Sequence, residues 1–64
     1  KLEIPKFLRQ AHGMGILSRR EMADLARYLR TDDEAIREQI RSRRMNALAK
    51  INLWMAESPS EMLH

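Results

Sequence analysis

Residues 24–40, DLARYLRTDDEAIREQI, restrict what this chain can fold into more than any other stretch. Leu29 follows Ala26 by three residues, Ile36 by ten and Ile40 by fourteen. A small residue on one helix lets a second cross it closely, and aliphatics at these spacings fill the wedge between the two. Between them, Thr31-Asp32-Asp33-Glu34 carries the oxygen-bearing side chains that start helices, with an acid three residues after the Thr. The stretch reads as two helices meeting at a tight corner. The register also fixes an outward set on the second helix: Asp32, Asp33, Glu34, Arg37 and Glu38.

Both flanks continue the helical pattern. Residues 1–12 place Ile4, Phe7, Leu8 and Ala11 on one face, and Pro5 suits a first helical turn, where a missing N–H costs nothing. Gly13 and Gly15 bracket Met14 in what reads as a flexible corner. Ser18-Arg19-Arg20-Glu21 has capping-box spacing, and Met22, Leu25, Ala26 and Leu29 form the buried stripe of the helix that follows. Beyond the corner, Ile36, Ile40, Leu48, Ile51 and Met55 share a face that Ala47 and Trp54 border, and no Gly or Pro interrupts them. One long helix over about 32–57 is the expectation. The alternative ends that helix near Asn46 and makes AKINLW a strand, the wing of a winged helix. Ser58-Pro59 closes the pattern, leaving 60–64 as a tail.

The expected class is all-α: a three-helix, helix-turn-helix-like domain with a long C-terminal helix. It is read as one small domain over 1–64, with an N-terminal helix or docking segment at 1–12, a helical hairpin at 17–57 and a tail at 58–64. A chain of 64 residues has a thin core, and without cysteine it has neither a disulfide staple nor a thiolate metal site. On the long-helix reading, Ile51, Trp54 and Met55 overhang the hairpin. A homodimer or a protein partner is then expected to cover them. No apolar run approaches the roughly 18 to 20 residues that membrane insertion requires, and no segment is patterned as a signal peptide. A cytoplasmic bacterial or phage protein is the expectation.

Residues 17–40 resemble the helix-turn-helix half of small winged-helix regulators, and the nearest pattern is the FeoC-like family associated with bacterial ferrous-iron transport. In that pattern FLRQAHG supplies the first helix, LSRREMADLARYL the second and TDDEAIREQI the third. The resemblance implies a regulatory domain. The cysteine cluster of some members has no counterpart, so no iron or iron–sulfur cofactor carries over. Residues 2–11, LEIPKFLRQA, are similar to the C-terminal docking peptide of FtsZ, the tubulin-like cell-division GTPase: Glu3, Ile4, Pro5, Phe7, Leu8 and Arg9 fall on matching positions. That resemblance implies a segment whose Ile, Phe and Leu enter a partner's apolar groove while Arg pairs at its rim. The same residues also read as an amphipathic first helix packed on the hairpin.

No catalytic constellation is visible, and the expectation is a non-enzyme. His12 and His64 have no ligand partner at helical spacing, so no metal site is expected. Asp32, Asp33 and Glu34 are better explained as helix-start residues than as catalytic carboxylates. The net charge is +3, and Arg37, Arg41 and Arg44 recur down one side of a helix with Arg43 adjacent, while Arg19 and Arg20 open another. Such a stripe suits phosphate contact, which makes duplex DNA the alternative partner. The acidic outward set argues against a helix laid along phosphates. The leading expectation is therefore a regulatory or adaptor protein that binds other proteins, with Ile4, Phe7, Leu8, Arg9, Leu53, Trp54 and Met55 as contacts. A structural subunit of a larger assembly is a third reading.

Overall fold

The computed structural model describes residues 3–57, which form four helices and no strand. Helix α1 spans Lys6–Gly13, α2 Arg19–Arg30, α3 Glu34–Arg43 and α4 Met45–Glu57. The all-α expectation holds. The expected long helix does not, because α3 ends at Arg43 and a separate helix begins two residues later. The wing is also absent, since the residues read as its strand lie inside α4.

Each helix start follows from local chemistry. Pro5 stands at the head of α1 with φ −57°, and its carbonyl accepts from the Leu8 and Arg9 N–H groups at 3.1 and 3.2 Å. Proline contributes its preset φ there without losing a needed donor. Ser18 and Glu21 form the anticipated capping box: Ser18 N–H donates to Glu21 Oε1 at 2.8 Å, and Glu21 N–H to Ser18 Oγ at 3.1 Å. The α3 start differs from expectation. Asp33 is its cap, accepting from Ala35 N–H at 2.9 Å, while Thr31 adopts extended backbone and closes α2 through its N–H to Arg27 O at 3.0 Å. Thr31 thus ends one helix, and its hydroxyl accepts from Asp33 N–H at 3.1 Å to brace the three-residue corner.

The segment read as a flexible corner between α1 and α2 is a defined C-terminal cap. Ile16 N–H donates to Ala11 O at 2.9 Å and Gly15 N–H to His12 O at 3.0 Å, the paired bonds of a Schellman motif, with Gly15 at φ +81°. A residue without a Cβ takes the left-handed conformation at least cost, and here it is Gly15. Ile16 follows it and packs against the core. The His12 ring then bonds to Leu17 O through Nδ1 at 3.0 Å; a carbonyl can only accept, so Nδ1 carries the proton.

The main core cluster draws on α1, α2 and α4, and Ile40 of α3 is buried as well. Ala11, Ala26 and Ala47, one per helix and each almost fully enclosed, allow close approach, and Leu8, Leu17, Met22, Leu25 and Ile51 fill the space around them. Trp54 and Met55 pack against this cluster. The expected overhang of Ile51, Trp54 and Met55 is therefore absent: Ile51 is only 5 % exposed. The physical reason is geometric. A straight continuation of α3 would carry these side chains away from α1 and α2 at 1.5 Å per residue, whereas a break at Arg44 turns them back. Burying a side chain such as Ile51 contributes about 1.5–3 kcal/mol, which offsets the backbone bonds lost at the break, and bonds on either side of it remain. Indeed Arg44 N–H still bonds to Ile40 O at 2.7 Å and Leu48 N–H to Arg44 O at 2.9 Å. Leu29, assigned to the buried stripe from its spacing, is 50 % exposed, because no helix crosses the end of α2 to cover it.

Arg44 is held at the break by Asp24 of α2, its Nε donating to Oδ2 at 2.7 Å, with Arg43 at 3.7 Å from the same oxygen. Asp24→Ala removes a partly buried, charge-assisted bond. It is expected to lower stability by about 1–2 kcal/mol, more than a rim ion pair is worth. Urea unfolding monitored by circular dichroism measures it. A second expectation concerns pH. The Ser18 backbone N–H, helped by Lys50, holds the Glu21 carboxyl below its ordinary value of 4.5, with burial opposing. A depressed carboxylate contributes stability that is present above the unfolded value and lost as pH falls through the folded one. The stability gap between the natural protein and Glu21→Gln, followed by urea titration, is therefore expected to narrow below about pH 4.5.

Candidate binding groove

An apolar groove of about 370 Å³ opens where α1, α2 and α4 diverge. Its floor is Leu8, Leu25 and Ile51, all core residues, and its walls are Phe7 from α1, Tyr28 and Leu29 from α2, and Leu48 from α4. Asn52, Arg41 and the Tyr28 hydroxyl supply the polar groups of its lining. Leu29, left uncovered by the break in the chain, stands at the edge.

Tyr28 organises the cationic side. Arg37 lies over its ring, 4.2 Å from the centroid, and Arg41 is 5.9 Å from the same centroid. Arg37 Nη1 also donates to the Tyr28 carbonyl at 2.6 Å and to Thr31 O at 3.4 Å, so it satisfies the free carbonyls at the end of α2. Arg41, one turn further along α3, donates from Nη2 to the Tyr28 hydroxyl at 3.4 Å and pairs with Glu38 through Nη1. The Tyr28 hydroxyl bond, with the attraction of Glu38, pushes the Arg41 guanidinium above its ordinary value. An arginine is charged at physiological pH in any case, so the groove carries a cation at its mouth, paired with Glu38.

The basic stripe thus divides by geometry. Arg37 and Arg44 are spent inside the domain, on the α2 terminus and on Asp24. Arg43 is exposed and close to Asp24, and Arg41 lines the groove. Arg19 and Arg20 lie exposed in the first turn of α2. Arg37 also lies 3.9 Å from Glu34, while Asp33 turns back to cap its own helix. The outward face of α3 carries Ala35, Glu38, Gln39, Ser42 and Arg43, whereas Arg37, expected to face outward, turns to the end of α2.

The residues expected to contact protein are distributed unevenly. Leu8 is 1 % exposed, and Ile4 and Phe7 pack against the core, with Phe7 also in the groove wall. Arg9 is exposed on α1. Leu53 is 61 % exposed and shares a second, shallower recess of about 350 Å³ with Ile16 and Trp54, while Met55 is half-buried. Tyr28, Leu29, Leu48 and Asn52 were missed as groove residues. Tyr28 had one legible signal, the single tyrosine standing nine and thirteen residues before two arginines. Among the described residues, no group of His, Asp or Glu side chains is assembled to hold a metal ion. No protein-family model matches the chain, and neither a curated protein nor a solved structure gives a match.

Because Arg37 closes α2 and packs on Tyr28 at once, Arg37→Ala is expected to lower stability by about 1–3 kcal/mol. Arg37→Lys keeps the charge without the planar fork and is expected to recover less than half of the loss. Thermal melts of the two variants measure this directly.

Proposed function

We propose that this domain is a non-enzymatic regulatory or adaptor module that works by binding another protein in the groove between α1, α2 and α4. The observation that carries the reading is Leu29, a large aliphatic left half in water beside a partly open apolar channel in a chain that has little core to spare. The exposed Leu53 offers a second apolar contact on another face. Support over duplex DNA comes from Arg37 and Arg44, two members of the basic stripe that are engaged within the fold, and from the acid-capped start of α3. A cytoplasmic setting accords with the proposal; among the described residues no helix is long and apolar enough to cross a membrane.

A pull-down from bacterial lysate, with and without nuclease, tests this reading. Capture of protein that survives nuclease and is lost with Leu29→Lys is the expected result. Capture that disappears on nuclease treatment would instead make the protein a nucleic-acid binder.

A further inference from the structure

We infer that the partner element in the groove is an amphipathic helix carrying a carboxylate, which Arg41 recognises. This rests on the protein-binding reading above and goes further by stating the partner's chemistry. At about 370 Å³ the groove lies near the lower end of the range of ligand sites, so its exposure to solvent rather than its volume decides what enters it. Its walls are open to solvent: Phe7 and Leu48 are half-buried and Leu29 is 50 % exposed. An occupant inserted there keeps one side in water, as a partner helix does when it places an i, i+3/i+4, i+7 row into a receiving groove.

Charge complementarity selects the carboxylate. Among the lining residues Arg41 alone carries a charge. Its guanidinium has five N–H donors; one nitrogen faces Glu38 and another the Tyr28 hydroxyl, which fixes the plane and leaves donors to spare. Glu38 is largely exposed, with 64 % of its side chain in water, so an incoming carboxylate can share or displace it at small cost. The fork of Arg41 then meets the carboxylate in the bidentate geometry that Arg favours. Asn52 provides a neutral amide on the α4 wall for a further polar contact. A purely apolar helix would leave Arg41 facing hydrocarbon, and a basic one would meet it with like charge.

The test selects from a displayed library of helix-forming peptides, randomised on one face, against the full chain. Enriched peptides are expected to combine two or more aliphatics at helical spacing with an acidic residue. Their affinity, measured by fluorescence anisotropy, is expected to fall at least about tenfold with Leu29→Lys. With Arg41→Met it is expected to fall roughly two- to fivefold, the range for a rim ion pair. Replacing the peptide's acid by its amide is expected to cost the natural protein the same factor and the Arg41→Met variant nothing. Enriched peptides that lack an acid, or that ignore Arg41→Met, would overturn the carboxylate inference and leave protein binding standing. Peptides indifferent to Leu29→Lys, or no enrichment together with no decanoate binding, would overturn the groove itself. Decanoate is the comparison ligand. Saturable, Arg41-dependent binding of decanoate without any selected peptide would assign the groove to a small amphiphile and reject the helix.

Discussion

The contact between Asp24 and Arg44 holds the turn on which the rest of this fold depends. Nothing near Arg44 stops a helix: there is no glycine, no proline, and the backbone bonds on both sides of the kink persist. An uninterrupted helix was a reasonable local solution. It would, however, have put Ala47 and Ile51 in water. The break instead sends α4 back across α1 and α2, and the 2.7 Å contact between Arg44 and Asp24 holds the corner against α2. Both partners keep only about a fifth of their side-chain surface exposed, which gives the pair more weight than a rim ion pair and less desolvation cost than a fully buried one. Everything downstream, including the core, the groove and the exposure of Leu29, depends on that turn.

The elements that were legible in the sequence are those whose causes are local. Ser18 and Glu21 satisfy each other's backbone across three residues, so spacing alone identifies them. The corner at 31–33 was placed correctly, but the cap fell to Asp33 because Thr31 was already engaged in closing α2, a conflict visible only when both helix ends are considered together. Gly15 marked a turn, and the apolar Ile16 after it was the overlooked sign of a rigid Schellman cap. The break at Arg44 was not legible, because its partner lies twenty residues away on another helix and pattern reading sees only the unbroken apolar face. The groove was less legible still. Its walls come from positions 7 to 52, and the spacing that placed Leu29 in the core was sound until the helix expected to cover it turned elsewhere.

The N-terminal segment illustrates how one pattern can serve two readings. Ile4, Phe7 and Leu8 have the spacing of a docking peptide, and that spacing is also what an amphipathic helix needs to bury one face. In the folded domain the burial requirement governs Leu8, which sits beside Ala11 in the core. Phe7 is shared: it supports the core from one side and forms a wall of the groove on the other. A segment that resembles a ligand thus forms part of a receptor, since apolar residues at helical spacing specify a surface without saying which partner meets it.

Tyr28 explains why the groove has a cation at its mouth. The end of α2 exposes carbonyls that need donors, and Arg37 reaches them from α3 while lying flat on the Tyr28 ring. Once Arg37 is fixed there, helical geometry places position 41 one turn along the same face, close enough for its guanidinium to reach the Tyr28 hydroxyl. The capping of α2 and the charge of the groove are therefore one construction with a single aromatic hinge. The same construction holds α3 against the end of α2, while Leu29 stays half exposed. A substitution that closed the groove by moving α3 over Leu29 would first have to give up the Arg37 bonds that end α2.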